Sequence, residues 1–179
     1  DLAPHVALSR AFDGSESVQV SVISSSWLGP APRSRMSAYG GPRDTLEAMA
    51  RAALGPRGEQ SALVNRFKTE VTKFIQPKDY LGEILAIRNV LLQPNPRTGQ
   101  ALIRYTNDPR HVELVKDPQR IVEEINSPLQ AAECDCDESA TFVATLALQL
   151  GRSVQFVALG FGPGTALTHV GARAQEPKS

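Results

Sequence analysis

From residue 43 onward, apolar positions recur at helical spacing. Leu46, Met49, Ala50, Ala53 and Leu54 form a first stripe that stops at Gly55-Pro56. Leu63, Val64, Phe67, Val71, Phe74 and Ile75 line one face of a second helix, from about Glu59 to Ile75, ended by Pro77. The third, from about Tyr80 to Leu92, is apolar on most sides, which predicts a central place in the core; Pro94, Pro96 and Gly99 break it. Ile121, Val122 and Ile125 predict a short helix after Pro118, closed by Pro128. Asp135 to Leu150 reads as an apolar helix ended by Gly151.

The period then changes. Val154, Phe156 and Ala158 alternate, and after glycines at 160, 162 and 164 the stretch Leu167 to Ala174 follows, so the last part predicts two strands. Helices first and strands last point to an α+β domain rather than a doubly wound sheet. Residues 1–42 differ from the rest. Val18, Val20 and Val22 alternate weakly with polar neighbours, and Ser24-Ser25-Ser26 then leads into a stretch holding Gly29, Pro30, Pro32, Gly40, Gly41 and Pro42. This predicts one or two strands and a linker: an extended arm over 1–42, loosely packed on a compact domain over 43–179 and able to reach other protein subunits by strand addition.

Composition narrows the function classes. The chain has 179 residues, 41% apolar and 21% charged, enough for one soluble domain with a full core. Nineteen basic residues balance nineteen acidic ones, so no net field favours nucleic acid or an anionic membrane as partner. No apolar run approaches the roughly 18 residues needed to span a bilayer. The only cysteines, Cys134 and Cys136, stand one residue apart, where a bridge would close a strained ring; reduced thiols are expected.

Those thiols carry the candidate chemistry. Asp135 and Glu138 are spaced as a capping box, which puts Cys136 at the first helical position, where unpaired backbone amides and the helix dipole favour a thiolate. Asp135, Asp137 and Glu138 oppose that effect, so the thiolate needs a cationic partner, and His169 is the only histidine downstream. Cys134 is expected to be structural. A zinc site from Cys134, Cys136 and His169 lacks the paired spacing and a fourth ligand, so no metal and no cofactor are expected. His5 and His111 are expected to be solvated or locally bonded, and Trp27 to be a packing anchor.

The run Cys134-Asp135-Cys136-Asp137-Glu138-Ser139-Ala140 resembles the Gly-Asp-Cys-Asp-Asp-x-Ala signature of transglutaminase-like, papain-related cysteine proteins. The likeness continues through Leu150-Gly151, Val154-Gln155-Phe156-Val157 and Thr168-His169-Val170. Upstream it takes in Ile103-Arg104-Tyr105, Asp108-Pro109 and Glu113-Leu114-Val115, as in short bacterial and phage members, and it covers about residues 80 to 174. It implies a papain-like core with N-terminal helices, a central Cys-bearing helix and a C-terminal antiparallel sheet, truncated here. By position, Cys136 is then the nucleophile and His169 the base, with an orienting Asp or Asn expected on a strand after Ser179.

Gln130 stands where papain-like proteases keep an oxyanion glutamine. Cys134 replaces the family's glycine, a change expected to crowd the substrate approach. The implied function is a cysteine peptidase or acyltransferase working through a thioester on a protein or peptide substrate. The alternative is a non-catalytic assembly protein, for example of a phage particle, that keeps the fold. The corresponding setting is the cytoplasm or a phage particle.

Overall fold

The computed structural model describes residues 5–10, 16–22, 34–37, 41–94, 99, 101–108, 112–127, 131–159 and 169–175. Within them the fold is mixed α+β. Its strands are β1 (His5–Arg10), β2 (Glu16–Val22), β3 (Ser34–Ser37), β4 (Ile103–Tyr105), β5 (Val112–Val115), β6 (Ala132–Cys134), β7 (Ser153–Leu159) and β8 (His169–Gln175). The helices are α1 (Gly41–Leu54), α2 (Ala62–Thr72), α3 (Tyr80–Leu92), α4 (Pro118–Ile125) and α5 (Cys136–Gln149). Local signals set their starts. Ser61, Asp79 and Asp117 cap α2, α3 and α4, each accepting a backbone N–H three residues on with its side chain.

Four strands form one antiparallel sheet in the order β1-β2-β7-β8. β3 pairs with β5, and β4 runs parallel to β6. Two expectations are corrected here. Within 1–42, β2 is not part of a loose arm: it is an interior strand, bonded to β1 on one side and β7 on the other. The register explains it, since Val18, Val20 and Val22 stand opposite Ala158, Phe156 and Val154. The register puts the alternation of β2 in step with that of β7. Gly41 and Pro42, read as linker, instead open α1, where the first turn tolerates proline.

The second correction concerns α3. It is not central: only Ile87 is fully buried, while Leu81, Leu85 and Leu92 are exposed. Its apolar residues point all round, and that pattern does not say which side the rest of the fold covers.

The central helix is α5. Its alanines Ala140, Ala144 and Ala147 pack with Val154, Phe156, Ala158 and Val170 of the sheet and with Leu46, Met49 and Ala53 of α1. On its other side Phe142 and Leu146 pack with Val64, Ile121, Val122, Ile125, Ala132 and Cys134. Small side chains let the helix lie close to the sheet, and large ones fill the wider gap toward α2 and α4, where the Phe142 and Phe67 rings are 5.5 Å apart. Full burial of a phenylalanine such as Phe142 contributes about 2–3 kcal/mol.

A Schellman turn ends α5: Arg152 N–H reaches the Ala147 carbonyl at 3.0 Å and Gly151 N–H the Leu148 carbonyl at 2.8 Å. Gly151 has φ 73°, a conformation glycine adopts without penalty, and it reverses the chain into β7. The buried Arg152 then pairs with Glu83 and lies 4.0 Å over the Tyr80 ring, tying α3 to this turn. Among the described residues no helix is long and apolar enough to cross a membrane.

Candidate functional site at the head of the central helix

The N-terminus of α5 is built by its own first residues. Asp135 is the N-cap; its Oδ1 accepts from Asp137 N–H at 3.1 Å and from Glu138 N–H at 3.5 Å. Glu138 Oε2 accepts from Asp135 N–H at 3.1 Å, which completes the capping box. Cys136 therefore occupies the first helical position, half-buried, against the cluster that holds Ala140 and Val170. Both cysteines are free thiols. Among the described residues, no group of three or more His, Cys, Asp and Glu side chains is arranged to hold a metal ion.

Cys134 faces elsewhere. It is the last residue of β6, has no exposed surface, and packs in the cluster of Ile121 and Phe142 on the far side of α5. Burial first, and then the charge of Glu138, pushes its thiol pKa up to about 12. The expected crowding of the substrate approach by this residue is thereby corrected: strand alternation turns Cys134 into the core.

His169 is brought to the same end of the domain as Cys136. The helix is 14 residues long, about 21 Å at 1.5 Å per residue, and β7 and β8 are seven residues each, about 23 Å. A three-residue turn sends β7 back along α5, so the end of β7 lies level with the start of the helix. β8 returns antiparallel with His169 opposite Leu159. The strand phase is less favourable. Val170, Ala172 and Ala174 are the β8 residues packed with the α5 alanines. His169 is one residue out of phase with them and exposed. Strand β8 stands last in the strand order of the described sheet.

Gln130 and His111 lie outside the described residues, as does Trp27; His5 begins β1, opposite Ser21.

The sequence did not single out the charged groups behind the capping box. The Lys116 Nζ lies 3.1 Å from Glu124 Oε2 and 3.9 Å from Glu138 Oε1, and donates to the Glu133 carbonyl. Burial pulls this ammonium down, but Glu138 first, then Cys134 and Glu124, outweigh it, and its pKa ends raised. Asp108 accepts the Leu114 N–H and is pushed up by burial. Asp137 is 1% exposed; its Oδ1 accepts the Glu138 N–H at 2.9 Å, and its Oδ2 has no hydrogen-bond partner. Tyr105, exposed and opposite Cys134 in the β4–β6 register, has its phenol raised by desolvation first, then by the negative charges of Cys136 and Asp135.

Burial also raises the two carboxyls of the capping box, Asp135 to about 6 and Glu138 to about 7. The folded state therefore holds protons that the unfolded chain, titrating near 4, has already released. This contribution to stability is complete below about pH 4 and is lost as pH rises through 6 and 7. Urea denaturation is expected to show stability falling between pH 5 and pH 8 by about 4 kcal/mol for the pair, and Glu138→Gln should flatten that slope. A stability that rises over this range in the wild-type chain would contradict the burial of the capping box.

Comparison with family models, with curated proteins and with solved structures finds no match to this chain.

Proposed function

We propose that this chain is a transglutaminase-like cysteine peptidase or acyltransferase, with Cys136 as nucleophile and His169 as base. The observation that carries the reading is the half-buried Cys136 at the first position of a capped central helix, with the start of β8 at that same end. The papain-like core belongs to the same reading, supported by a cysteine-headed helix lying on an antiparallel sheet that bears the histidine.

In this mechanism the Cys136 sulfur attacks a carboxamide or peptide carbonyl. The backbone amide of Cys136 faces the oxyanion, with Gln130 as a further donor from the upstream segment. The carbon–nitrogen bond breaks, the amine leaves with the proton held by His169, and a thioester remains. Water or a second amine, deprotonated by His169, attacks the thioester and returns the sulfur as thiolate. Substrate is a protein or peptide in either case.

The test is acylation of the full chain by a p-nitrophenyl ester. Attack by Cys136 should release one equivalent of nitrophenolate in a burst and add the acyl mass to the chain, and Cys136→Ala should abolish both. A burst that survives in Cys136→Ala would remove this cysteine from the mechanism.

A second reading, a non-catalytic assembly protein that keeps the fold, is favoured by one observation: His169 is out of phase with the β8 residues packed on α5. In that reading Cys136 is a packing thiol and the ester produces no burst.

A further inference from the structure

We propose that Lys116 is the positioning residue of this site: by holding the Glu138 carboxylate on the Asp135 amide, its ammonium fixes the first turn of α5 and thereby the place of Cys136. The inference rests on the reading of Cys136 as nucleophile and adds a residue that neither the cysteine signature nor the histidine points to.

The geometry is a hub between elements. Lys116 follows β5 directly and sits 24% exposed at its side chain, between Glu124 of α4, the Glu133 carbonyl of β6 and Glu138 of α5. The side chains it faces are themselves covered, Glu124 at 11% and Glu138 at 5% exposure. Glu138 in turn accepts the Asp135 N–H, and Asp135 accepts the amides of Asp137 and Glu138. A single chain of contacts thus runs from the ammonium to the turn that carries Cys136.

Charge makes the hub necessary. Asp108, Asp135, Glu138 and Glu124 converge here, and Lys116 is the cation that lowers Asp108, Asp135 and Glu138 against their burial. Arg120 also reaches Glu124, at 2.8 Å, from the exposed side of α4. Without the ammonium, Glu138 gains a proton more readily, its oxygen becomes a weaker acceptor for the Asp135 amide, and the first turn loosens. A buried carboxylate deprived of its partner would otherwise remain uncompensated beside Cys136.

The experiment is amide hydrogen exchange by NMR on the full chain in four forms: wild type, Lys116→Met, Glu138→Gln and the double variant. Lys116→Met should speed exchange of the Asp135 amide about tenfold, the factor carried by one charge-assisted hydrogen bond. In the Glu138→Gln background, where the carboxylate that Lys116 holds on the Asp135 amide is gone, it should add less than about twofold. Alkylation of Cys136 should slow in Lys116→Met, and Lys116→Arg should restore both readings. Equal acceleration in the two backgrounds, or none in either, overturns the proposal.

The same contact can be read without changing Lys116. In Glu138→Gln, the Lys116 ammonium followed by carbon NMR at Cε should titrate lower than in wild type, because the Glu138 charge that raises it is gone. An unchanged titration overturns the proposal. These readings do not depend on catalysis: if the ester burst is absent while the exchange coupling is present, the nucleophile reading fails and the link from Lys116 to the capping box stands. A burst without the coupling has the opposite meaning.

Discussion

At pH 7 iodoacetamide is expected to modify the folded chain at Cys136 and to leave Cys134 intact. The two thiols are one residue apart, yet the strand-to-helix junction turns them to opposite sides of α5: Cys134 into the cluster of Ile121 and Phe142, Cys136 to the half-buried head of the helix. A thiol titrating at about 12 has about one part in 10⁵ as thiolate at pH 7, whereas an unperturbed thiol has about 3 in 100. Ionisation alone therefore holds Cys134 roughly three thousandfold below an ordinary thiol, and its zero exposure adds to that. Peptide mapping after brief labelling reads the ratio. Comparable modification of both residues in the folded protein would mean that β6 does not hold Cys134 in the core.

The parts of this site that were legible in the sequence are those fixed by neighbours in the chain. Asp135 and Glu138 cap α5 through contacts three residues apart, and Gly151 ends it through bonds back to Leu148 and Ala147, so both ends of the helix follow from local rules. The same holds for β7, whose alternation is a property of seven consecutive residues. What the sequence did not reveal is set by distant partners. The weak alternation of Val18, Val20 and Val22 carries no sign that Ala158, Phe156 and Val154 stand opposite, and the glycines and prolines that follow resemble a linker whether or not the strand is docked. Leu81, Leu85 and Leu92 looked like core because apolarity all round α3 does not say which side the fold covers. No local pattern marks Lys116 or Asp108. Their role arises only where β5, α4, β6 and α5 meet.

Catalysis by Cys136 calls for His169 beside its sulfur, and the fold has one feature that favours this pairing and one that does not. The antiparallel return of β8 brings His169 to the head of α5, while the strand phase turns it from the face that packs on the helix. An imidazolium at the edge of β8 that reaches the sulfur would offset the carboxylates of Asp135, Asp137 and Glu138, and a neighbouring opposite charge shifts a titration by about one to three pH units. The measurement that decides is the rate of Cys136 alkylation against pH in wild type and in His169→Ala. The wild-type rate should persist below pH 7 and fall about tenfold at pH 6.5 in His169→Ala, with the profile moved toward that of a free thiol. Superimposable profiles for the two proteins, both rising with a midpoint near 8.5, would contradict it.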